Sequence, residues 1–424
     1  MNSSPSDQRP TRRTRRTRIV CISDTHNCTI KLPKGDVLIH AGDLTNQEKA
    51  DFEAKVVIAG NHDKALDPAS SSDSSQHQAL SPEFCHFHNL SLPNPEQCLS
   101  LFEAHGPSIT YLHHESAEIK LAHPRGPRTK FKVFGSPGTP GLGEKWAFGY
   151  ERDENDPNRA RYPNQENGDS RTVTTEIKSG SQSNPEKKTS RSGSQSHFSP
   201  ISSSISAKEI WSSIPPDTDI LVTHTPPYGH CDLGVVRGSD GSDDGPSPTR
   251  SGGTGGQEAK TKTETDRHLG CYSLLQRLSV VRPRLHVCGH VHRARGSERV
   301  WWSPVSSPSA SVSMGMGMED DGELGWIESA TKKWTDPSPD PKSGKISLVD
   351  LTGRGREGGS GKLDWVDIDT VIGKSRGGRE GRKETCVVNC AILASNYPRV
   401  GGKKFHTPVV VDLELPVCEE SQDY

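Results

Sequence analysis

The chain has 424 residues, of which 30% are hydrophobic and 5% aromatic, and its formal net charge is -2. With a mean hydropathy of -0.73, 41 glycines and 31 prolines, it carries too little apolar material for a single globule of its whole length, since ordinary domains hold roughly 45–50% apolar residues with glycine counted. There is no apolar run of the ~18 residues that a membrane helix needs, residues 1–18 are polar and arginine-rich rather than leader-like, and the near-neutral balance excludes a globally basic nucleic-acid binder. An intracellular protein is expected, cytoplasmic in the first place, with a nuclear location open through the basic arm.

In chain order, the arm 1–16 reads as disordered and basic, with RPTRRTRRTR running from Arg9 to Arg18. RIVCIS (18–23) then leads into DTHN, DVLIHA (36–41) into GDLT, and KVVIA (55–59) into GNHD. SITYL (108–112), AEIKLA (117–122) and KFKVFG (130–135) are further strand candidates. Residues 151–206, rich in Ser, Asn, Arg, Lys and Gly, read as an insertion, because such a composition buries too little apolar area to offset the entropy of ordering. AKEIWSSI (207–214) has a helical pattern, DILVT (219–223) leads into HTPP, and 237–265 is a second insertion nearly free of apolar side chains. LGCYSLLQRLSVVRP (269–283) reads as a helix stopped by Pro283, and RLHVC (284–288) leads into GHVH. Residues 303–384 form a third low-complexity insertion with short apolar scraps such as ELGWIES and ISLVDLTG. CVVNCAIL (386–393) and PVVVDLEL (408–415) read as strands. One interrupted α/β domain over 17–302, completed by strands within 385–416 and followed by a tail at 417–424, is the expected organisation, since long surface insertions cost little to close.

Five of these strands deliver an acid, an amide or an imidazole at the carboxyl end, where open α/β sheets bind ligands. The residues are Asp24 and His26, Asp43, Asn61 and His62, His224, and His290 and His292. Oxygen and imidazole donors without a thiolate suit Mn, Fe, Zn or Mg. Seven ligands exceed what one ion needs, so two divalent ions about 3.5–4 Å apart are expected, with Asp43 able to bridge them. Such a pair acidifies a shared water and clamps phosphoryl oxygens during in-line attack.

The ordered blocks D-T-H, G-D, G-N-H-D, a lone H and G-H-V-H resemble the calcineurin-like metallophosphoesterase superfamily. The longer stretches RIVCISDTHN, DVLIHAGDLT, VVIAGNHD, FGSPGTP, ILVTHTPP and RPRLHVCGHVH are similar to the metallophosphoesterase-domain-containing, UPF0046-type family. The resemblance covers residues 18–150, 207–236, 266–302 and 386–416. It implies a four-layer fold of two packed mixed β-sheets flanked by helices. It implies Asp24, His26 and His292 on one metal, Asp43 bridging, and Asn61, His224 and His290 on a second. It implies that His62 contacts the phosphate and protonates the leaving group; Asp63, next to it, is read as orienting that imidazole. The implied activity is hydrolysis of a small phosphodiester, cyclic nucleotides among them, or of a phosphomonoester, by metal-hydroxide attack.

The chain departs from the family pattern between Asp43 and Asn61, where NQEKADFEAK stands in place of a longer helix. A parallel crossover usually takes a dozen residues or more, so a deletion there would displace Asn61 and His62 from Asp43. Two rival readings follow: a metal-binding, catalytically silent scaffold, and a nuclease of the same superfamily to which the basic arm would lend phosphate contacts. Other residues take plainer readings. His40 reads as a core histidine, and His86, His88, His113, His114, His123, His268 and His286 as non-ligands. His230 follows HTPP and is a weak pocket-lining candidate, Gly135–Ser136–Pro137 reads as a turn, and Trp146 and Phe148 read as packing rather than base-stacking residues. Cys386 and Cys390, spaced four apart without a partner pair, give no zinc signature.

Overall fold

The computed structural model describes residues 13–44, 50–68, 95–104, 108–141, 146–159, 206–237, 264–305, 326–338, 344–353, 382–394 and 403–418. Most of the two insertions 151–206 and 237–265, together with His86 and His88, lies outside the described residues.

Near-continuous apolar runs become strands buried on both faces: β1 (Thr14–Ile22), β2 (Val37–Ala41) and β3 (Ala54–Ile58). Helix α1 (Pro95–Ala104) precedes β4 (Ile109–Tyr111), β5 (Glu115–Lys120), β6 (Lys130–Ser136), β7 (Thr139–Pro140) and β8 (Gly149–Tyr150). Helix α2 (Ala207–Ser212) leads to β9 (Ile220–Thr223), then to β10 (Leu233–Arg237) and β11 (Glu264–His268). Helix α3 (Tyr272–Val281) is followed by β12 (Leu285–Cys288), β13 (Gly296–Pro304), β14 (Trp326–Lys333), β15 (Ser347–Asp350), β16 (Glu384–Asn389) and β17 (Val409–Pro416).

These strands build two mixed sheets, one ordered β15-β17-β1-β2-β3-β4 and the other β14-β13-β16-β12-β9-β6-β5. Alternation decides which residues meet between them. Ile19, Cys21, Val37, Ile39, Val56 and Ile58 of the first sheet share one buried cluster with Val133, Ile220, Val222, Leu285, Val287 and Val388 of the second. The outer face of the second sheet carries Phe134, Leu221, Cys288, Val300 and Val387 under Ile210 and Trp211 of α2 and Leu274 and Leu278 of α3. On the outer face of the first sheet, Val20, Ile22, Leu38 and Val410 are buried with Phe52 and Ile392. At the β4 edge the Pro95–Ala104 helix packs on that face, the Phe102 ring stacked 4.9 Å from that of Tyr111, so a fourth layer is seen in part among the described residues.

Local chemistry fixes the helix ends. Ser206 and Glu209 form a reciprocal capping box at the start of α2. Helix α3 stops at Arg282, which turns left-handed at φ 48° ahead of Pro283. The Arg282 guanidinium stacks 4.0 Å from the Trp326 ring, fastening β14 beside α3.

Three features differ from the sequence reading. The basic arm is in part a strand: β1 begins at Thr14 and pairs residue by residue with β17, Arg16 opposite Glu414 and Arg18 opposite Asp412. Successive strand residues face opposite ways, so Thr17 turns inward to the Thr129 hydroxyl at 2.6 Å, while Arg18 makes a two-pronged contact with Asp412 at 2.8 and 2.7 Å. Segment 303–384 supplies two strands, β14 at the edge of one sheet and β15 at the edge of the other. Their apolar content is slight because an edge strand is held by its backbone ladder to one neighbour, here β13 and β17. Finally, β2 and β3 are direct parallel neighbours, Val37 opposite Ala54 and Ala41 opposite Ile58. The short connection therefore spans them without a helix among its described residues.

Candidate metal centre

Strands β1, β2 and β3 lie side by side and parallel, as do β9 and β12, and β2 packs across the interlayer against both β9 and β12. Their carboxyl ends therefore face one another, bringing together residues from five distant motifs. Backbone strain collects there. Asp24 (φ 56°), His26 (φ 43°), Asp43 (φ 54°) and His290 (φ 65°) all sit in the left-handed region, which Asp, Asn and His tolerate better than other side chains but at a cost.

Glycines set the spacing. A Cβ on Gly60 would lie 2.4 Å from Asp43 Oδ1, and one on Gly289 would lie 2.3 Å from Asp24 Oδ2 and 2.0 Å from Ser23 Oγ. The glycines of G-N-H-D and G-H-V-H are thus required so that each loop can close on the acid of another strand.

The donor set shows what the centre can hold. His224 Nδ1 lies 2.8 Å from the Ala41 carbonyl, which only accepts, so Nδ1 carries the proton and Nε2 a lone pair. That lone pair is 2.9 Å from Asn61 Oδ1 and 3.6 Å from Asp43 Oδ1. His290 Nδ1 is 3.0 Å from the same Asn61 oxygen. On the other side, His26 Nε2 is 3.3 Å from His292 Nε2 and 3.5 Å from Asp43 Oδ2, and His292 Nε2 is 3.2 Å from Asp24 Oδ1. Asp24 Oδ1 is buried and accepts no well-formed hydrogen bond, while Asp24 Oδ2 accepts from the His290 amide at 2.9 Å.

Burial pushes the His26 and His290 imidazoles down to about 3, so both are neutral with a lone pair available at neutral pH. Burial, reinforced by the charges of Asp24 and Asp63, drives the Asp43 carboxyl well above its ordinary range. For Asp24, burial is outweighed by the contact with His292 and the nearby imidazoles, and its carboxyl is held low. Imidazole nitrogens and carboxylate oxygens converging at these distances could be satisfied together by a divalent cation. Three overlapping groups have ligand atoms close enough for this: Asp24, His26 and His292; His26, Asp43 and His62; and Asp24, Asp43 and His224. Five of the seven expected ligands fall in these groups, with Asp24, His26 and Asp43 each in two of them, and Asn61 and His290 join through the contacts of the Asn61 oxygen with His224 and His290.

No family model matches the chain. Individual relatives do. The chain is 26% identical over 296 residues to metallophosphoesterase domain-containing protein 1 of Homo sapiens, a match covering 66% of this chain and 62% of that protein. It is 24% identical over 311 residues to a UPF0046 protein of Caenorhabditis elegans, covering 70% of this chain and 69% of the relative. Probable rhamnogalacturonate lyase C of Emericella nidulans matches at 31% over 300 residues, 67% of this chain but 18% of that much longer protein. Relatives named metallophosphoesterase domain-containing protein 1 and UPF0046, at 24–26% identity over about two thirds of this chain, support that family for it.

The remaining residues of this metallophosphoesterase-type site fall around the ligand cluster. His62 stands at its mouth, its side chain 46% exposed, with Nε2 3.9 Å from Asp43 Oδ2 and its amide donating to Asp43 Oδ1 at 2.9 Å. That amide contact ties G-N-H-D to Asp43 directly, so the short connection before it does not separate them. The expectation that Asp63 orients the His62 imidazole gives way to another arrangement. Its carboxylate accepts from the Leu44 amide at 3.1 and 3.3 Å and from the Gly60 amide at 2.7 Å, bracing the two loops against each other. Burial raises its pKa, and those amides oppose the rise.

His40 is a buried strand residue 3.1 Å from the Thr25 hydroxyl. His230 is buried between Glu298 at 3.0 Å and Glu328 at 3.2 Å. His114 meets the Ser136 hydroxyl at 2.9 Å, and His286 meets that of Thr223 at 2.7 Å. Cys386 and Cys390 are buried free thiols. Two contributors escape sequence reading. The Ala41 carbonyl, which sets the His224 tautomer, is backbone and carries no residue-type signal. Trp146, whose ring lies 4.6 Å from that of His62, reads as packing until the fold brings the two together.

Proposed function

We propose that this chain is a metal-dependent phosphoesterase hydrolysing a small phosphodiester, cyclic nucleotides included, or a phosphomonoester. The observation that carries the reading is the convergence of Asp24, His26, Asp43, His224 and His292 with Asn61 and His290 on one strained, buried cluster. Asp24, His26 and His292 would hold one ion, Asn61, His224 and His290 a second, and Asp43 would be shared; Mn, Fe, Zn and Mg all suit these donors. Two such ions, when bound, would lower the pKa of a water and offset charge on phosphoryl oxygens. The chain's own residues do the rest. The neutral imidazoles keep the cluster ready at neutral pH, and Asp63 holds the two acid-bearing loops in register. His62, reachable from solvent, donates a proton to the departing oxygen.

The silent-scaffold alternative drew on the short Asp43–Asn61 segment and on the large insertions; the 2.9 Å contact between the His62 amide and Asp43 speaks against the first of these. The nuclease alternative drew on the basic arm, but Arg16 and Arg18 of that arm are engaged with Asp412. The lyase name belongs to a protein of which this chain matches 18%, and it is said of that protein alone.

The test is hydrolysis of an aryl phosphodiester by the full chain, metal-stripped and with added Mn²⁺, beside Asp43→Ala. Metal-dependent turnover lost in Asp43→Ala supports the reading. A folded, Mn²⁺-loaded protein that turns over neither diester nor monoester would hand the case to the silent scaffold.

A further inference from the structure

Among the described residues, the large apolar side chains left exposed are Leu101, Trp146, Leu233 and Ile346. Of these, Trp146 has a ring contact with the candidate centre. Its ring is 4.6 Å from that of His62 at an interplanar angle of 77°, and the His62 ring is in turn 4.6 Å from that of His26 at 86°. Three rings thus lead from a ligand of the centre outward to a tryptophan that is 38% exposed.

The position of Trp146 is fixed rather than incidental. The Ala147 amide donates to the Asn61 carbonyl at 3.0 Å, so the segment is fastened to the loop that carries Asn61 and His62. The Phe148 amide donates to Asp67 at 2.9 Å, and the Phe148 carbonyl accepts from the Thr139 amide at 3.0 Å. Ala147 and Phe148 turn into the apolar cluster with Ala59 and Leu66, at 1% and 8% exposure, and Phe148 is held at φ 55° to do so. Trp146 is not a member of that cluster. A large aromatic side chain kept partly in water beside His62, on a backbone braced at both following residues, is an aromatic surface awaiting a partner.

We propose that Trp146 is a specificity-determining platform on which a planar aromatic group of the substrate, an aryl or nucleobase ring, packs while its phosphate occupies the centre. The proposal rests on the phosphoesterase reading and adds a substrate class to it. A flat ring is favoured over an alkyl chain because an indole gains both apolar burial and ring–ring electrostatics from it. A phosphate beside His62 leaves its ester substituent one ring contact from Trp146, about the separation between phosphate and base in a nucleoside phosphate.

The experiment is calorimetric binding to the Mn²⁺-loaded full chain of 5′-AMP, ribose 5-phosphate and inorganic phosphate, with wild type, Trp146→Phe and Trp146→Ala. Wild type should bind 5′-AMP more tightly than ribose 5-phosphate. Trp146→Ala should weaken 5′-AMP about 5- to 150-fold, the usual range for loss of one base–aromatic contact, and leave ribose 5-phosphate within about twofold. Trp146→Phe should keep most of the 5′-AMP affinity. Wild type binding ribose 5-phosphate as tightly as 5′-AMP would refute the platform while leaving the phosphate site standing. An equal loss of both ligands in Trp146→Ala would also refute it, making Trp146 a support for His62 instead. Wild type binding none of the three would overturn the platform and the phosphoesterase reading together.

Discussion

Replacing Gly60 by alanine tests the closeness on which the whole centre depends. A Cβ there would stand 2.4 Å from Asp43 Oδ1, 2.6 Å from the Asp43 amide nitrogen and 2.6 Å from His224 Cε1. One of these neighbours is backbone and the others belong to buried side chains, so no flexible end can swing aside. Gly60 is not among the left-handed glycines, so steric displacement is the whole perturbation. Overpacking of this kind costs about 1–3 kcal/mol, and weakening the bond from the His62 amide to the Asp43 carboxylate adds to it, giving about 2–4 kcal/mol in all. For a domain of this class, the metal-free unfolding midpoint should fall by roughly 5–10 °C. Any part of the displacement that must be reversed on metal binding appears as weaker affinity, tenfold for each ~1.4 kcal/mol. Differential scanning calorimetry of the stripped chain, repeated across a Mn²⁺ titration, reads both effects. Gly149→Ala is the control, because nothing lies within 4 Å of a Cβ at that position. If Gly60→Ala keeps the wild-type midpoint and the wild-type upshift with Mn²⁺, the G-N-H-D loop does not lie against Asp43 as described, and the centre has been read wrongly.

His62→Ala should lower kcat on a poor leaving group by about 10²- to 10⁴-fold, the usual worth of a general acid, while leaving the Mn²⁺-induced rise in unfolding temperature in place; loss of that rise would make His62 a ligand. Asp63→Ala leaves the Leu44 and Gly60 amides without their acceptor, at about 1–3 kcal/mol each, so it should destabilise the chain and weaken Mn²⁺ binding together. A change confined to the pH profile of turnover would instead restore the view that Asp63 orients His62. His230 gives a pH signature away from the centre. Burial lowers its pKa, but Glu298 and Glu328 outweigh burial and raise it from 6.5 to about 9. The stabilisation from protonated His230 is therefore fully present below pH 6.5 and is lost as the pH rises through about 9. The unfolding midpoint should decline across that window, and Glu298→Gln should flatten the decline; an unchanged slope would show that the clasp is not protonated.

The ligand set was legible because it is local: each member follows its own apolar strand within a few residues, and strand ends are where such sheets bind ligands. The helices at 207–212 and 272–281 were legible for a similar reason, a helical run with Trp211 on its apolar side in one and a proline stop in the other. The role of Asp63 was not. Its partners are the amides of Leu44 and Gly60, and sequence spacing cannot show that the loop after β2 passes within hydrogen-bonding distance of the loop after β3. Edge strand β14 escaped because it buries little, and β15 because an average over a long Ser/Gly/Lys-rich segment dilutes a four-residue run such as SLVD. The run of arginines misled in the opposite way. Charge suggested a solvated arm, whereas residues 14–18 are strand, with Thr17 turned inward and Arg18 paired to Asp412 of β17.

The strain at the centre bears on why a cation belongs there. Left-handed backbone costs roughly 1–2 kcal/mol per non-glycine residue, somewhat less for Asp and His, and Asp24, His26, Asp43 and His290 all adopt it. The summed cost, several kcal/mol, is a large fraction of the ~5–15 kcal/mol by which a domain is stable. Local hydrogen bonds recover part of it, Asp24 Oδ2 accepting from the His290 amide and Asp43 Oδ1 from the His62 amide, but Asp24 Oδ1 is left without a well-formed bond. The two-sheet core can hold such a geometry, but the chain gains nothing from it unless a ligand binds the strained arrangement better than a relaxed one. A divalent ion does so, because every donor then points at a charge rather than at another acceptor. Metal binding should therefore stabilise this chain, and Asp43→Gly, which relaxes its turn but removes the acceptor of the His62 amide, should leave the stability of the stripped protein nearly unchanged while abolishing its response to Mn²⁺. A stripped Asp43→Gly chain much less stable than wild type would place the strain elsewhere.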